Sequence, residues 1–414
     1  MLSRVPFHGT DSPRTIIRDM SNPLKKSFLL DPGVIYLNHG SFGATPLPVF
    51  REYQRLQREL ERQPVEFLGR RSTGMLAKAR ARLAEYLGTQ ADRLVFTTNV
   101  TMAINIVARS LELGPQDEVL STDHEYGAMD RTWRFLARQR GFRYLKQPIP
   151  VPVADRAAFV ETFWKGVTAS TRVIFLSHIA SPTALIFPVE EICRRARRAS
   201  ILTVIDGAHA PGQIPLRLDE LGADFYGGNL HKWLCAPKGS GFLFARPEVQ
   251  DLLQPLVVSW GYESETPGPS RFIDQQEWGG TRDLAAFLSV PAAIDFQEQH
   301  DWEGVRRICH DILRAAEQAI CQRTGLARLH PDDPAWTMQM ASVPLPAEID
   351  AHLFQERLYR EYRIEIPVMR WNGRNLLRIS LQGYNTPRDA QALLKAVGEL
   401  IQPVSPKRFQ KKVP

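Results

Sequence analysis

Short apolar runs without polar alternation recur through the middle of the chain: Leu94-Val-Phe, Arg172-Val-Ile-Phe-Leu176, Ile201-Leu-Thr-Val-Ile205 and Phe242-Leu-Phe244. Runs of this kind, bounded by turn residues, predict strands buried on both faces. Glu118–Thr122 reads as another strand, and a short one at Phe225-Tyr226 stops at Gly227-Gly228. Between them the apolar positions take helical spacing over Pro48–Arg62 and Thr73–Tyr86. A helix opens at Asn99-Val-Thr101 and runs through Leu111, with Asn99 or Thr101 as its cap. Strands alternating with helices predict an α/β fold with a mostly parallel sheet flanked by helices. Val34–Leu37 is strand-like and leads into Asn38-His-Gly-Ser-Phe-Gly43. From about Asp295 a long helical stretch leads into a smaller α/β region, where Leu376–Leu381 alternates around Arg378.

A chain of 414 residues is too long for one small core, so two domains are expected. We divide it into a large domain over 27–294, whose first part (27–47) is an N-terminal arm, and a small domain over 295–405. Residues 1–26 read as a flexible extension. Their arginines suit a transit peptide, but prolines and acids spoil an amphipathic helix and no apolar core marks a secretory signal. Residues 406–414 form a basic tail that carries no nucleic-acid-binding motif and reads as a solvated end. No apolar run approaches the ~20 residues of a membrane helix. The four cysteines show no CxxC spacing, which suits a reducing, cytoplasmic setting. The net charge of +7 suits an anionic cofactor and a carboxylate substrate.

Candidate chemistry gathers between Val204 and Phe244. Asp206 ends one buried strand, and Lys232 lies just past the next. In open α/β sheets, ligands bind in the crevice outside the carboxyl ends of the strands. Taken singly, Asp206 before Gly207 is a turn former and Lys232 beside Trp233 a surface residue. Taken together they meet the needs of pyridoxal 5′-phosphate, a lysine for the Schiff base and a carboxylate beside the pyridine nitrogen. A zinc site on His178, His209 and His231 is compatible with loop spacing but leaves Lys232 idle. His124-Glu-Tyr126 lacks the second histidine of a zincin, and neither nucleotide-binding glycine motif occurs.

The DGAH…GGNLHKW pattern resembles the class-V aminotransferases, fold-type-I pyridoxal-phosphate enzymes, and the likeness runs over most of the chain. It implies an aldehyde-bearing cofactor on Lys232 with Asp206 at its ring nitrogen. The phosphate falls to Asn99, Val100, Thr101, Asn229 and His231. Tyr126 rather than His124 stacks on the ring, while His178 and His209 lie near the phenolic oxygen. Asn38, His39 and Gly40 of the arm touch substrate, and Arg378 clamps its α-carboxylate. Thr281, in Glu277-Trp-Gly-Gly-Thr281, reaches the phosphate of a partner subunit, which implies a homodimer with shared sites.

Transamination, racemisation, elimination and sulfur transfer all start from one carbanion, and Asp206 and Lys232 do not separate them. Cysteine desulfurases carry a nucleophilic cysteine on the loop before the carboxylate-binding arginine, and Ile364–Arg374 has none. SHIASPTALIFPVEEI, DGAHAPGQIPL and EIPVMRW are most similar to the isopenicillin N epimerase branch, which also holds hercynylcysteine sulfoxide lyase-type C–S lyases. An epimerase needs a second acid/base opposite Lys232, and Tyr126, His178 and His209 all stand as candidates. A cofactor-binding protein without turnover and a metal-dependent hydrolase are the competing classes.

Overall fold

The computed structural model describes residues 23–401, so the expected basic tail and nearly all of the N-terminal extension lie outside the described residues. Seven strands form the main sheet: β1 (Leu94–Thr97), β2 (Glu118–Thr122), β3 (Arg143–Gln147), β4 (Thr171–Ser177), β5 (Leu202–Gly207), β6 (Phe225–Asn229) and β7 (Gly241–Ala245). Their order is β1-β7-β6-β5-β4-β2-β3, and only β7 runs against its neighbours. The middle strands are buried on both faces, which is why their sequences do not alternate.

β6 continues through Gly227-Gly228-Asn229, where the glycines suggest an end. A Cβ on Gly228 would stand 2.2 Å from the Phe242 ring, so only glycine lets β6 pass β7 here. That extension delivers Asn229 and the Lys232 turn to the rim of the sheet.

Helices cover the sheet and the arm runs across it. α1 (Leu47–Arg62) and α2 (Ser72–Leu87) pack with later helices on one side. α3 (Val100–Ser110) and α4 (Gly127–Arg140) bury Ile104, Val107, Trp133 and Leu136 on the other. The helical stretch expected from Asp295 is broken: α5 (Val290–Glu298) ends, and α6 (Trp302–Thr324) restarts at Asp301. Asp301 sits at φ 43° and caps α6 by accepting the Gly304 amide.

The smaller C-terminal domain has an antiparallel sheet of β8 (Met340–Leu345), β9 (Val368–Trp371) and β10 (Arg374–Ser380), with β10 in the middle. Its apolar face packs Val343, Leu377 and Ile379 against Leu313 and Ile320 of α6. Ile35-Tyr36 of the arm pairs in parallel with Ile364-Glu365, which stitches the arm to this domain. Among the described residues no helix is long and apolar enough to cross a membrane.

Candidate active site

The parallel strands bring Asp206, Ser177 and the Lys232 turn to one edge of the sheet, around a cavity of about 320 Å³. Asn99, Val100, Thr101, Tyr126, His209, Asn229 and His231 line it as well. Ser177 and Asp206 are register partners on β4 and β5 and share a face.

Lys232 is held by its backbone. His39 Nε2 donates to the Lys232 carbonyl at 2.9 Å, and the Cys235 amide reaches the same oxygen at 3.0 Å. The arm presses on this turn through Gly43 at φ 70°, where a Cβ would stand 2.0 Å from the His231 carbonyl. Lys232 Nζ lies 3.2 Å from His209 Nε2. Burial, with the Arg378 charge adding and Asp206 opposing, lowers the lysine to about 7.

Asp206 Oδ1 accepts the Ala208 amide at 2.9 Å, while Oδ2 is buried without a partner. A buried carboxylate oxygen left bare is costly unless a ligand donor meets it. Burial raises Asp206 to about 6, against the pull of the Ala208 amide and Lys232.

At the start of α3, Asn99 caps the helix by accepting the Met102 amide at 2.9 Å. The Val100 amide is already used, since it donates to Asn229 Oδ1 at 2.9 Å. This corrects the expectation that Val100 offers its N–H to a phosphate. Thr101, on the exposed first turn, keeps that capacity, and first-turn amides favour an anion. His231 Nδ1 donates to the Ser240 carbonyl at 2.9 Å and directs Nε2 the other way. Burial, together with Lys232 and Lys238, pulls His231 down to about 4.

Tyr126 lines the cavity half-exposed, whereas His124 is buried between Thr183 Oγ1 and the Ile149 carbonyl. His178 requires correction. It follows Ser177 and points through the opposite face, with Nδ1 3.0 Å from the Tyr226 hydroxyl, and it does not line the cavity. The three histidines of the zinc reading therefore do not converge.

The arm residues are also reassigned. Asn38 donates to Glu365 Oε1 at 3.1 Å, His39 bridges Tyr384 and the Lys232 carbonyl, and Gly40 packs on Met340 and Ser380. None of these lines the cavity; Ser41 and Phe42 do. The sequence located this arm but not which of its residues turn inward.

Arg378 lies directly behind two lining residues. Nη1 donates to Ser181 Oγ at 3.0 Å and to its carbonyl at 2.8 Å, and Nη2 donates to Ser41 Oγ at 3.1 Å. Its Nε is buried with no acceptor, and burial lowers the group to about 10. Thr281 is exposed and stands outside this chain's own cavity.

In the sequence Glu125 stands only within His124-Glu-Tyr126, the segment that lacks a second zincin histidine. It is buried over Ser177 and Thr122, and burial lifts it to about 8.

Residues 35–393 match the aminotransferase class-V family. The chain belongs to the class-V aminotransferases. Members of this family are pyridoxal-phosphate enzymes, and the residues here fit that cofactor: an orphaned carboxylate oxygen, a lysine lowered toward neutrality and the exposed Thr101 of a helix's first turn share one cavity. The chain is 37% identical to an isopenicillin N epimerase from Amycolatopsis lactamdurans over 90% of its own length and 96% of that protein. A hercynylcysteine sulfoxide lyase from Schizosaccharomyces pombe is 25% identical over 90% of this chain and 96% of the relative. A cysteine desulfurase from Thermococcus onnurineus superposes with a TM-score of 0.78 at 20% identity, covering 93% of this chain and 99% of that one.

Proposed function

We propose that this class-V enzyme is an epimerase, inverting the Cα of an amino-acid-containing substrate. The observation that carries the reading is its 37% identity to isopenicillin N epimerase, against 25% for the sulfoxide lyase at the same coverage of the chain. The bound cofactor supplies an electron sink that acidifies the substrate's Cα–H.

Each residue then has a task. Lys232 would anchor the cofactor and, as the free amine, would take the substrate's Cα proton on its Nζ. Asp206 Oδ2 accepts the ring N–H and keeps it protonated. Thr101 and Asn229 hold the phosphate, with Asn99 capping the helix that presents Thr101; His231, whose Nδ1–H is committed to the Ser240 carbonyl, joins them once the anion draws a proton onto its Nε2. His209 donates Nε2–H toward the phenolic oxygen. Arg378 binds the α-carboxylate through its unpartnered Nε, with Ser41 and Ser181 fixing the guanidinium.

Inversion needs a proton delivered to the face away from Lys232, and we assign that to the Tyr126 hydroxyl. Among the described residues lining the cavity, the other titratable groups are Asp206, His209, His231 and Lys232. His209 lies on the lysine's side, and His178 is turned toward Tyr226. Tyr126 follows β2 and Lys232 follows β6, so the two enter the cavity from strand ends three positions apart in the sheet. Tyr126 shares the cavity with Ser41 and Ser181, the two serines that hold the Arg378 guanidinium.

We also infer a homodimer in which Thr281 serves the partner's phosphate. Val257, Val258 and Trp260 are exposed, Trp260 at 86%, and Trp260 adjoins Glu277 and Trp278 just before that turn. An apolar surface of this kind favours burial against a second copy.

The test is to incubate the loaded enzyme with amino acids and aminoacyl peptides in deuterium oxide and follow each product. Inverted, deuterated product is expected. Pyruvate with a released thiol indicates a C–S lyase instead, and keto acid a transaminase.

A further inference from the structure

Trp233 donates its indole N–H to His209 Nδ1 at 3.2 Å, and the opposite nitrogen of that ring, Nε2, faces Lys232 Nζ at 3.2 Å. An indole nitrogen donates and does not accept. His209 Nδ1 must then present a lone pair, so the ring is neutral and its single proton sits on Nε2. An N–H aimed at an amine bonds only when that amine offers its own lone pair, which an ammonium lacks.

We propose that Trp233 is a positioning residue whose indole N–H locks His209 as an Nε2–H donor, and that this donor holds Lys232 as the free amine. The inference rests on the reading of Lys232 as the cofactor's anchor and deepens it. Without the indole donor His209 is free to carry its proton on Nδ1. Nε2 then becomes an acceptor that favours the lysine ammonium, so loss of one N–H reverses the sign of the contact.

The parts are built to hold still. His209 and Trp233 are buried, and the Trp233 carbonyl accepts Gln297 Nε2 at 2.8 Å. The His209 carbonyl accepts Gln213 Nε2 at 2.7 Å, which fixes the ring's backbone. The other groups acting on Lys232 are the Asp206 carboxylate on β5, which favours its charged form, and the Arg378 guanidinium on β10, which opposes it. His231, next in sequence, is itself lowered chiefly by burial. Burial, with the Arg378 charge adding, also keeps His209 neutral.

The test uses full-length apoprotein labelled with ¹⁵N-histidine, wild type beside Trp233→Phe and a version with 3-benzothienylalanine at position 233. The benzothienyl ring keeps the indole's shape and removes its N–H. Wild type should show the Nε2–H tautomer at His209, and both substituted proteins should lose it. Borohydride capture of pyridoxal phosphate at pH 7 should slow about fivefold in the isostere, with its pH midpoint moved upward, as befits one lost hydrogen bond. An Nδ1–H ring in wild type, or an unchanged tautomer and midpoint in the isostere, overturns the proposal. Wild type that captures no cofactor sinks the anchor reading instead, and the tautomer is read without cofactor, so the two failures stay distinct.

Discussion

Glu125 accepts both the amide and the hydroxyl of Ser177, at 2.9 and 2.6 Å, and Ser177 is the register partner of Asp206 on the next strand. A second carboxyl thus sits beside the one assigned to the cofactor ring. Burial lifts it to about 8, and the Asp206 charge adds to the lift. Its proton is held more tightly in the folded state than in the unfolded chain. The stabilisation is complete below the ordinary carboxyl range and is lost as pH rises toward 8. Glu125 contributes a fall in stability from pH 5 to pH 8, set against the rise that buried neutral histidines such as His178 and His231 contribute up to the free-imidazole range. Chemical denaturation of the apoprotein beside Glu125→Gln should therefore show the wild type losing stability relative to the variant across that window, and a stability difference that does not change with pH contradicts the assignment.

Arg378 is tested through its two serines. Arg378→Lys keeps the charge but loses the fork that a carboxylate requires. KM should rise about 10- to 100-fold with kcat little changed. Ser41→Ala removes one of the contacts holding the guanidinium and should raise KM only a few-fold. Steady-state kinetics on any turned-over substrate separates the two, and an unchanged KM in Arg378→Lys places the carboxylate elsewhere.

Tyr126→Phe separates inversion from proton removal. Lys232 should still exchange the Cα hydrogen with deuterium oxide while configuration is retained, and inversion should fall about 10²- to 10⁴-fold. Equal loss of both would assign Tyr126 to holding the cofactor rather than to moving a proton.

A buried ion pair outside the cavity lining gives a stability control. Arg80 Nη1 reaches both oxygens of Glu277 at 2.6 Å in a buried setting. Arg80→Ala strands the carboxylate, and denaturant unfolding should report a loss of about 3–5 kcal/mol.

Much of this molecule could be read from its sequence, for a physical reason. Strands buried on both faces leave unbroken apolar runs, and Asp206 and Lys232 sit where such runs end, so the fold and the central pair follow from pattern and spacing. Side-chain direction was harder. His178 lies one residue past Ser177, and a one-residue difference on a strand turns a side chain through the sheet. The family resemblance points to Asn38, His39 and Gly40 as the substrate-facing part of the arm, but the helical turn at His39–Phe42 presents Ser41 and Phe42 instead. The Val100 amide looked free because helix starts usually are. Its capture by Asn229 is a contact between residues 129 positions apart, which no local pattern reports. Glu125 needed the burial of its surroundings before its chemistry could be seen.

The account depends most on Lys232 as the cofactor's point of attachment. Borohydride reduction of the purified, cofactor-loaded protein, followed by peptide mass spectrometry, tests that directly. The reduced pyridoxyl group should be found on the peptide carrying Lys232 and should be absent from a folded Lys232→Ala variant; a modification on another lysine, or none on a protein that still turns over its substrate, would contradict it.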